Sequence, residues 1–202
     1  METLSELHFD ALGEIINIAT GRAAQGLGEI IGERIQSSVP TVQLIQLADV
    51  NPETLRLKDE TFGFVTQNST GAMNAEVMLL FAETDVLSIV RKMMGAEIDL
   101  DTVREFEKDA MCELGNIMIN ACLSSIADML HLAMESSLPR YAVKTREEIV
   151  NYVKNDVAQD FVLASHIDLT IEGKPTDGKL FILINSSALG NVTDEIDRLS
   201  LA

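Results

Sequence analysis

Two segments of the chain carry an acid, a second acid and an amide at the same spacing. "DALGEIINIATG" and "DAMCELGNIMIN" each place Asp, Glu and Asn at matching positions: Asp10, Glu14 and Asn17, then Asp109, Glu113 and Asn116. At the helical period, each Glu and Asn are neighbours on one face, and the Asp lies one turn earlier. Two carboxylic acids can cleave a glycosidic bond when they share a cleft. Glu14 and Glu113 lie on outward faces of separate predicted helices, which disfavours that chemistry.

These segments belong to a longer internal repeat. A shift of 99 positions superimposes both triplets and also aligns Pro40 with Pro139, without gaps over about thirty positions. Apolar positions match at the same shift, among them Ile15 with Leu114, Leu27 with Ile126, and Val39 with Leu138. A half-chain repeat indicates a duplicated unit, because solenoid arrays have shorter periods.

Both copies predict the same order of elements. A long helix comes first, at about 4–33 and 103–131, because apolar residues recur at helical period. Three strands should follow: "SVPTVQLIQL", "TFGFVTQN" and "NAEVMLLFA", then "SLPRYAVK", "DFVLASHIDLTIEG" and "KLFILIN". The turn signals "STG" and "GKPTDG" should join the last two strands of each copy, and shorter helices near 84–95 and 186–199 should close the copies. "TREEIVNYVKND" has no clear counterpart and predicts an extra helix or an excursion.

This order of elements predicts an α+β fold. Pro40 and Pro139 fall within the first strand of each copy, where proline indicates a sheet edge or the start of a strand. Strands from both copies should join one mostly antiparallel sheet, because neither half alone would hide its edges. The two long motif helices should pack on that sheet. We therefore expect a single domain over residues 1–202, built from a pseudo-two-fold pair of repeats of about 1–99 and 100–202.

We call the line of Asp, Glu and Asn on each long helix the motif stripe, and we predict that it faces solvent. It continues through Gly21, Gln25 and Gly28 in the first copy and through Asn120, Ser124 and Ala127 in the second. The opposite face is apolar, with Ile16, Ala19, Ala23, Leu27 and Ile30, and with Leu123, Ile126 and Leu130. On one helix alone, such a stripe is an ordinary solvated face. Asparagine is a mediocre helix former, so its recurrence in mid-helix calls for a reason beyond solvation.

The composition narrows the class of partner. The 15 basic and 32 acidic residues give a net charge of −17, which argues against nucleic acid or an anionic membrane as a partner. The charge suits a partner with a basic rim, although acidity that only maintains solubility remains an equal alternative. Aromatic residues make up only 4%, so aliphatic side chains and nine Met must fill the core.

The cysteines and the apolar segments predict a cytoplasmic protein. Cys112 and Cys122 lie ten residues apart on one predicted helix, about 15 Å of rise, too far for an internal disulfide. Two thiols without an oxidised framework fit a reducing compartment. "METLSELHFD" lacks the basic and apolar regions of a signal peptide, and the run "VMLLFA" is too short to span a bilayer.

The sequence contains no convincing motif for other kinds of chemistry. His8, His131 and His166 form no ligand pattern with the cysteines, so we expect no metal site. "GRAAQGLGEIIG" lacks the Lys-Ser/Thr of a phosphate-binding loop and lies within a predicted helix. No G-x-S-x-G or S-x-x-K motif occurs.

The motif itself is similar to a known signature. Asp or Ser, three residues, Glu, two residues, Asn, then Pro after about twenty-two residues resembles the CheC/CheX/FliY family of chemotaxis phosphatases, and both copies fit this pattern. The resemblance covers almost the whole chain and is strongest in "ELGNIMIN". Two complete motifs at this length resemble the CheC branch more than one-site CheX or the longer FliY. One departure is that family members commonly have Gly before the Asn, as at Gly115, whereas the first copy has Ile16.

The resemblance implies a substrate and a division of roles. The substrate would be a phosphorylated CheY-type response regulator, whose receiver domain supplies Mg²⁺ and a lysine, so this chain would need no cofactor of its own. Asn17 or Asn116 would orient the attacking water, as glutamine does in small GTPases. Glu14 or Glu113 would pair with the receiver's lysine. Asp10, Asp109, Pro40 and Pro139 would support the motif.

A second interpretation is a non-catalytic adaptor that binds a response regulator or a CheD-like receptor deamidase. Turnover requires the Asn amides, whereas an adaptor needs only the docking surface.

Overall fold

The structure, a computed structural model, describes residues 4–94, 99–156, 158–171 and 174–201. Its helices are α1 (Glu6–Ile31), α2 (Glu83–Met93), α3 (Leu100–Leu130), α4 (Arg146–Lys154) and α5 (Ser186–Ser200), with a 3₁₀-helix at Leu47–Asp49. Its strands are β1 (Gln36–Ser37), β2 (Thr41–Gln46), β3 (Thr61–Gly71), β4 (Ala75–Ala82), β5 (Met134–Ser136), β6 (Arg140–Thr145), β7 (Phe161–Ile171) and β8 (Lys174–Ile184). This order confirms the predicted repeat of a long helix, strands and a shorter helix.

Both long helices begin and end at local signals in the sequence. The Ser5 side chain accepts a hydrogen bond from the His8 backbone N–H at the start of α1, and Asp99 accepts one from the Thr102 backbone N–H at the start of α3. Gly32 and His131 follow the two helices in the left-handed conformation, with φ of 75° and 53°. The helix bounds therefore follow from capping chemistry as well as from apolar period.

The eight strands form one continuous sheet in the order β1-β7-β8-β4-β3-β5, with β2 also paired to β7 and β6 to β3. Every pairing is antiparallel. The two copies meet at the centre, where β4 pairs with β8 and Leu79 lies opposite Leu180. The predicted α+β fold, with one antiparallel sheet shared by both copies, is confirmed.

The prolines divide the edge strands. Pro40 lies between β1 and β2, and Pro139 lies between β5 and β6, at the two opposite edges of the sheet. A proline cannot donate to the strand ladder, so each breaks the first strand of its copy in two. The single first strand predicted for each copy is thus a pair of short strands.

Both predicted turns were misplaced. Ser69 and Thr70 of "STG" belong to β3, because they pair with β5 on one side and Ser69 also pairs with β4 on the other; the turn follows at residues 72–74. Most of "GKPTDG" belongs to β8, and Gly173 lies outside the described residues. Before Gly178, β8 pairs only with β7, so Pro175 lies where one side of its strand is unpaired and needs no donor.

The segment "TREEIVNYVKND" contains α4, which Thr145 and Glu148 cap reciprocally. It has a counterpart after all, because the 3₁₀-helix at Leu47–Asp49 lies 99 residues earlier and also follows the outer strand of its copy.

Both faces of the sheet are covered. Helices α1, α2, α3 and α5 share a core with Val65, Leu79 and Leu180, among other residues of that face. On the other face, α4 and the segment 47–57 cover a second core that includes Phe64, Met78 and Phe181. This explains why every residue of β4 is buried. In the described part of the chain, α3 is the one helix long and apolar enough to cross a membrane, and 50% of its most apolar stretch is buried inside the protein.

Candidate functional site

Helices α1 and α3 pack against each other in opposite directions. Arg22 donates to Ser125 Oγ at 3.2 Å, whereas a Cβ on Gly26 would lie 2.9 Å from Ile117 Cγ2. Rising residue numbers on α1 therefore meet falling numbers on α3. With a rise of 1.5 Å per residue, this register separates Asn17 and Asn116 by about 20 Å along the helix axes. The two motifs lie towards opposite ends of the helix pair.

The motif stripes face solvent, as predicted. Asp10, Glu14, Asp109 and Glu113 are exposed, and Asn17 and Asn116 are half-buried. Within the described residues, none of the four acids forms an ion pair. Each site therefore offers a free carboxylate next to a partly enclosed amide. The apolar face opposite is buried except for Ile30 in the last turn of α1.

The second motif lies unusually close to the sheet. A Cβ on Gly115 would lie 2.4 Å from Val65 Cγ1, so only glycine allows α3 to approach β3 this closely. In the first copy, Ile16 occupies the equivalent helix position and is fully buried. Thr41 and Arg140 are equivalent residues of the two copies, and they lie opposite His166 and Thr66, respectively. Thr66 is therefore equivalent to His166, and the strand position equivalent to Val65 is Ser165. The second copy thus has a small residue on the helix and a large one on the strand, whereas the first copy has a large residue on the helix and a small one at the equivalent strand position.

Asn116 belongs to a chain of side-chain amides. Its Oδ1 accepts a hydrogen bond of 2.7 Å from Asn120 Nδ2, one helical turn later. Asn120 Oδ1 in turn accepts from Gln67 Nε2 of β3 at 2.9 Å and from Ser136 Oγ of β5 at 3.0 Å. Gln67 is only 1% exposed. The amide of Asn116 is thus tied to the sheet through one intermediate side chain.

The first site has no equivalent chain. Gly21 stands where the second copy has Asn120, and sheet register places Ile167 where the second copy has Gln67. A cavity of about 480 Å³ lies beside Gly21, and the equivalent cavity beside Asn120 measures about 330 Å³. The missing side chain contributes to this difference, because a Cβ on Gly21 would meet nothing within 4 Å. Gly21, one turn after Asn17, therefore borders open space.

Pro139 lies beside the second site at the edge of the sheet. The Cys112 thiol, one residue before Glu113, lies 3.9 Å from the carbonyl oxygen of Pro139. Leu138, which precedes that proline, is 85% exposed, and its counterpart Val39 is 76% exposed. The sequence match of Val39 with Leu138 indicated an apolar repeat but not its exposure. These protruding residues were missed as candidates, although their place next to the motif proline was a signal.

The described residues contain no group of three or more His, Cys, Asp or Glu side chains that could hold a metal ion. His8 contacts Asp197 at 3.0 Å, and burial lowers the pKa of His166. Burial also raises the pKa of the Cys122 thiol to about 12, so this cysteine is a core residue.

The sequence is similar to two chemotaxis phosphatases of Bacillus subtilis (strain 168). It is 21% identical to the CheY-P phosphatase CheC over 143 residues, 69% of this chain and 68% of CheC. It is 25% identical to the flagellar motor switch phosphatase FliY over 146 residues, 69% of this chain and 36% of FliY. No protein-family profile matches the chain.

Solved structures share the fold. Thermotoga maritima FliY has a TM-score of 0.76 at 23% identity, over 97% of this chain and 98% of that one. A CheX-CheY-BeF3-Mg²⁺ complex from Borrelia burgdorferi matches with a TM-score of 0.55 at 13% identity, over 83% and 96%. The FliM middle domain of H. pylori matches with a TM-score of 0.62 at 9% identity, over 95% and 99%.

The fold and the paired motifs define a duplicated α+β protein with two outward-facing Glu and Asn sites. Together with the sequence relatives, they support the assignment of the chain to the CheC/CheX/FliY family.

Proposed function

We propose that this protein is a phosphatase that hydrolyses the aspartyl phosphate of a CheY-type response regulator in the cytoplasm. The observation that carries the proposal is the recurrence, at both ends of the α1–α3 pair, of a free exposed Glu beside a half-buried Asn. One relative is named as a CheY-P phosphatase and the other as a flagellar motor switch phosphatase, and a solved complex of CheX with CheY supports the same partner.

Hydrolysis of an aspartyl phosphate requires little covalent chemistry from the phosphatase. Water attacks phosphorus, the bond to the aspartyl oxygen breaks, and the receiver recovers its carboxylate as inorganic phosphate leaves. Catalysis then depends on aligning the water opposite the leaving oxygen and on stabilising charge on the phosphoryl oxygens. We assign the first task to Asn116 and Asn17. The Mg²⁺ and lysine of the receiver take the second.

Glu113 and Glu14 would fix the position of the receiver. Each is exposed on the turn before its Asn, so an ion pair with the receiver's lysine would set the depth at which the amide enters. Asp10 and Asp109 lie one turn further out and have no chemical task in this scheme. Leu138 and Val39, which precede the two motif prolines, add exposed apolar surface.

Phosphate release from a phosphorylated receiver domain tests the proposal directly. The variants are Asn17→Ala, Asn116→Ala and the double variant, compared with wild type at equal folded concentration. Losing one well-placed polar group from a transition state costs about 2.7–4 kcal/mol, or roughly 10²–10³ in rate. Each single variant should retain the rate of the other site, and the double variant should be nearly inactive while still binding the receiver.

A non-catalytic adaptor is the second candidate, and the likeness to the FliM middle domain favours it. Such an adaptor would bind a response regulator or a CheD-like deamidase through the same surfaces. Full activity of the Asn17→Ala/Asn116→Ala variant would rule out water positioning by these amides. No phosphate release by wild type despite binding of the phosphorylated receiver would establish the adaptor and overturn the phosphatase.

A further inference from the structure

We propose that Asn120 is a positioning residue that orients the Asn116 amide, and that this makes the second site the faster of the two. The inference rests on the proposed function and deepens it. Its basis is the hydrogen-bond chain Gln67–Asn120–Asn116, which the second copy has and the first copy lacks.

An asparagine amide needs such a restraint. The last torsion of Asn is broad and roughly two-fold, so an unrestrained amide presents its oxygen and its nitrogen to a partner almost equally. The bond from Asn120 Nδ2 selects one of these two orientations for Asn116. It leaves one lone pair of Oδ1 and both N–H groups of Asn116 available to a water molecule and a phosphoryl oxygen.

Asn120 is itself held in one orientation. Gln67 Nε2 and Ser136 Oγ both donate to its Oδ1, so its Nδ2 must face Asn116. Gln67 is buried in β3, two residues from Val65, which contacts α3 at Gly115. The restraint therefore begins in the rigid sheet and reaches the exposed site in two steps, which limits the motion of the reactive amide.

The first site lacks both intermediate groups. Gly21 has no side chain that could bond to the Asn17 side-chain amide, and an Ile167 side chain cannot donate a hydrogen bond. Asn17 must then adopt its productive orientation only when the receiver binds. Binding should be similar at the two sites because the Glu residues are equivalent, whereas kcat should be higher at the second site.

The test uses the full chain with Asn17→Ala, so that only the second site turns over. In this background, Asn120→Ala should lower kcat for the phosphorylated receiver about 10- to 100-fold, because small misplacements of a reacting group cost rate on this scale. The KM should stay within about twofold, since Glu113 is untouched. Ser124→Ala, on the same helix face one turn later, is the matched control and should keep the parent kcat and KM.

Asn120→Asp separates positioning from structural support. A carboxylate at this position still accepts from Gln67 and Ser136 and keeps the side-chain shape, but it cannot donate to Asn116 Oδ1. It should lose kcat as Asn120→Ala does, with unchanged KM and unchanged unfolding in urea.

The variant Asn116→Ala, in the same background, distinguishes a failure of the positioning role from a failure of the phosphatase mechanism. If it abolishes turnover while Asn120→Ala and Asn120→Asp keep the parent kcat, the positioning role is wrong and the phosphatase proposal stands. If Asn116→Ala itself keeps full activity, the phosphatase mechanism fails, and the positioning role fails with it.

Discussion

Replacing Gly115 by Ala tests how the second site is held against the sheet. The new Cβ would lie 2.4 Å from Val65 Cγ1, closer than a Cβ can approach another carbon atom, and a tight 3.2 Å from Val65 Cβ. Helix α3 must therefore move away from β3 or Val65 must shift. Because Gln67 lies on the same strand, this movement would also lengthen the 2.9 Å hydrogen bond between Gln67 and Asn120.

The expected change in the free energy of unfolding of Gly115→Ala is the sum of two opposing effects. Gly→Ala inside a helix stabilises the protein by about 1 kcal/mol through helix propensity. Overpacking a tight core costs about 1–3 kcal/mol. The net change for Gly115→Ala is thus about 0–2 kcal/mol of destabilisation.

Gly21→Ala is the matched control, because a Cβ there would meet nothing within 4 Å. It should stabilise the protein by the full propensity of about 1 kcal/mol. The free energies of unfolding of the two variants should therefore differ by about 1–3 kcal/mol, with the propensity effect cancelled. Urea unfolding followed by circular dichroism measures this difference.

A double-mutant cycle with Val65→Ala identifies the cause. Removing both Cγ atoms relieves the closest contact, so Val65→Ala and Gly115→Ala should be non-additive by about 1–3 kcal/mol in the favourable direction. In the Asn17→Ala background, Gly115→Ala should also lower the rate of phosphate release. If Gly115→Ala is as stabilising as Gly21→Ala, or if the cycle is additive, the close approach of α3 to β3 is not what requires glycine.

Three further predictions concern the docking surface and the core. Leu138→Ser should raise the KM for the phosphorylated receiver several-fold at the second site and leave kcat unchanged, because this side chain is 85% exposed beside the motif; an unchanged KM would exclude it from the interface. Cys122 should resist alkylation until the protein unfolds, because burial raises its thiol pKa to about 12, and mass spectrometry of the labelled native protein would reveal any early modification. Burial outweighs the Tyr152 hydrogen bond and raises the pKa of Glu76, so the folded state holds this proton more tightly than the unfolded state. The free energy of unfolding of wild type, relative to Glu76→Gln, should therefore fall as pH rises above the ordinary carboxyl pKa of 4.5, and a flat difference in urea titrations would contradict this.

Local patterns in the sequence were enough to predict most of the fold. The apolar period located both long helices to within about three residues at each end, because helical contacts repeat every three to four residues. Proline chemistry located the sheet edges at Pro40 and Pro139. The turns were misplaced because pairing with neighbouring strands keeps Ser69 and Pro175 in extended conformations that local turn signals do not predict.

The candidate site was likewise predictable from the sequence only in part. Recurrence at 99 positions selected Asp10, Glu14, Asn17 and their counterparts, and helical period alone placed them on a solvent-facing stripe. The exposure of Leu138 and the contact of Gly115 with Val65 depend on which segments pack together. Those contacts join residues far apart in the chain, and no period encodes them.

The sequence shows that Gly21 is the counterpart of Asn120, but the consequence of that difference for the two sites depends on the tertiary structure. The helices repeat at 99 positions, but sheet register relates β3 to β7 at 100. An ungapped sequence shift therefore aligns Gln67 with His166, whereas the fold aligns it with Ile167. The sequence by itself determines that there are two Glu and Asn motifs on two helices. Only the packing of α3 on β3 decides that one amide is tied to the sheet and the other is not, because a hydrogen bond between Gln67 and Asn120 requires two segments 53 residues apart to meet.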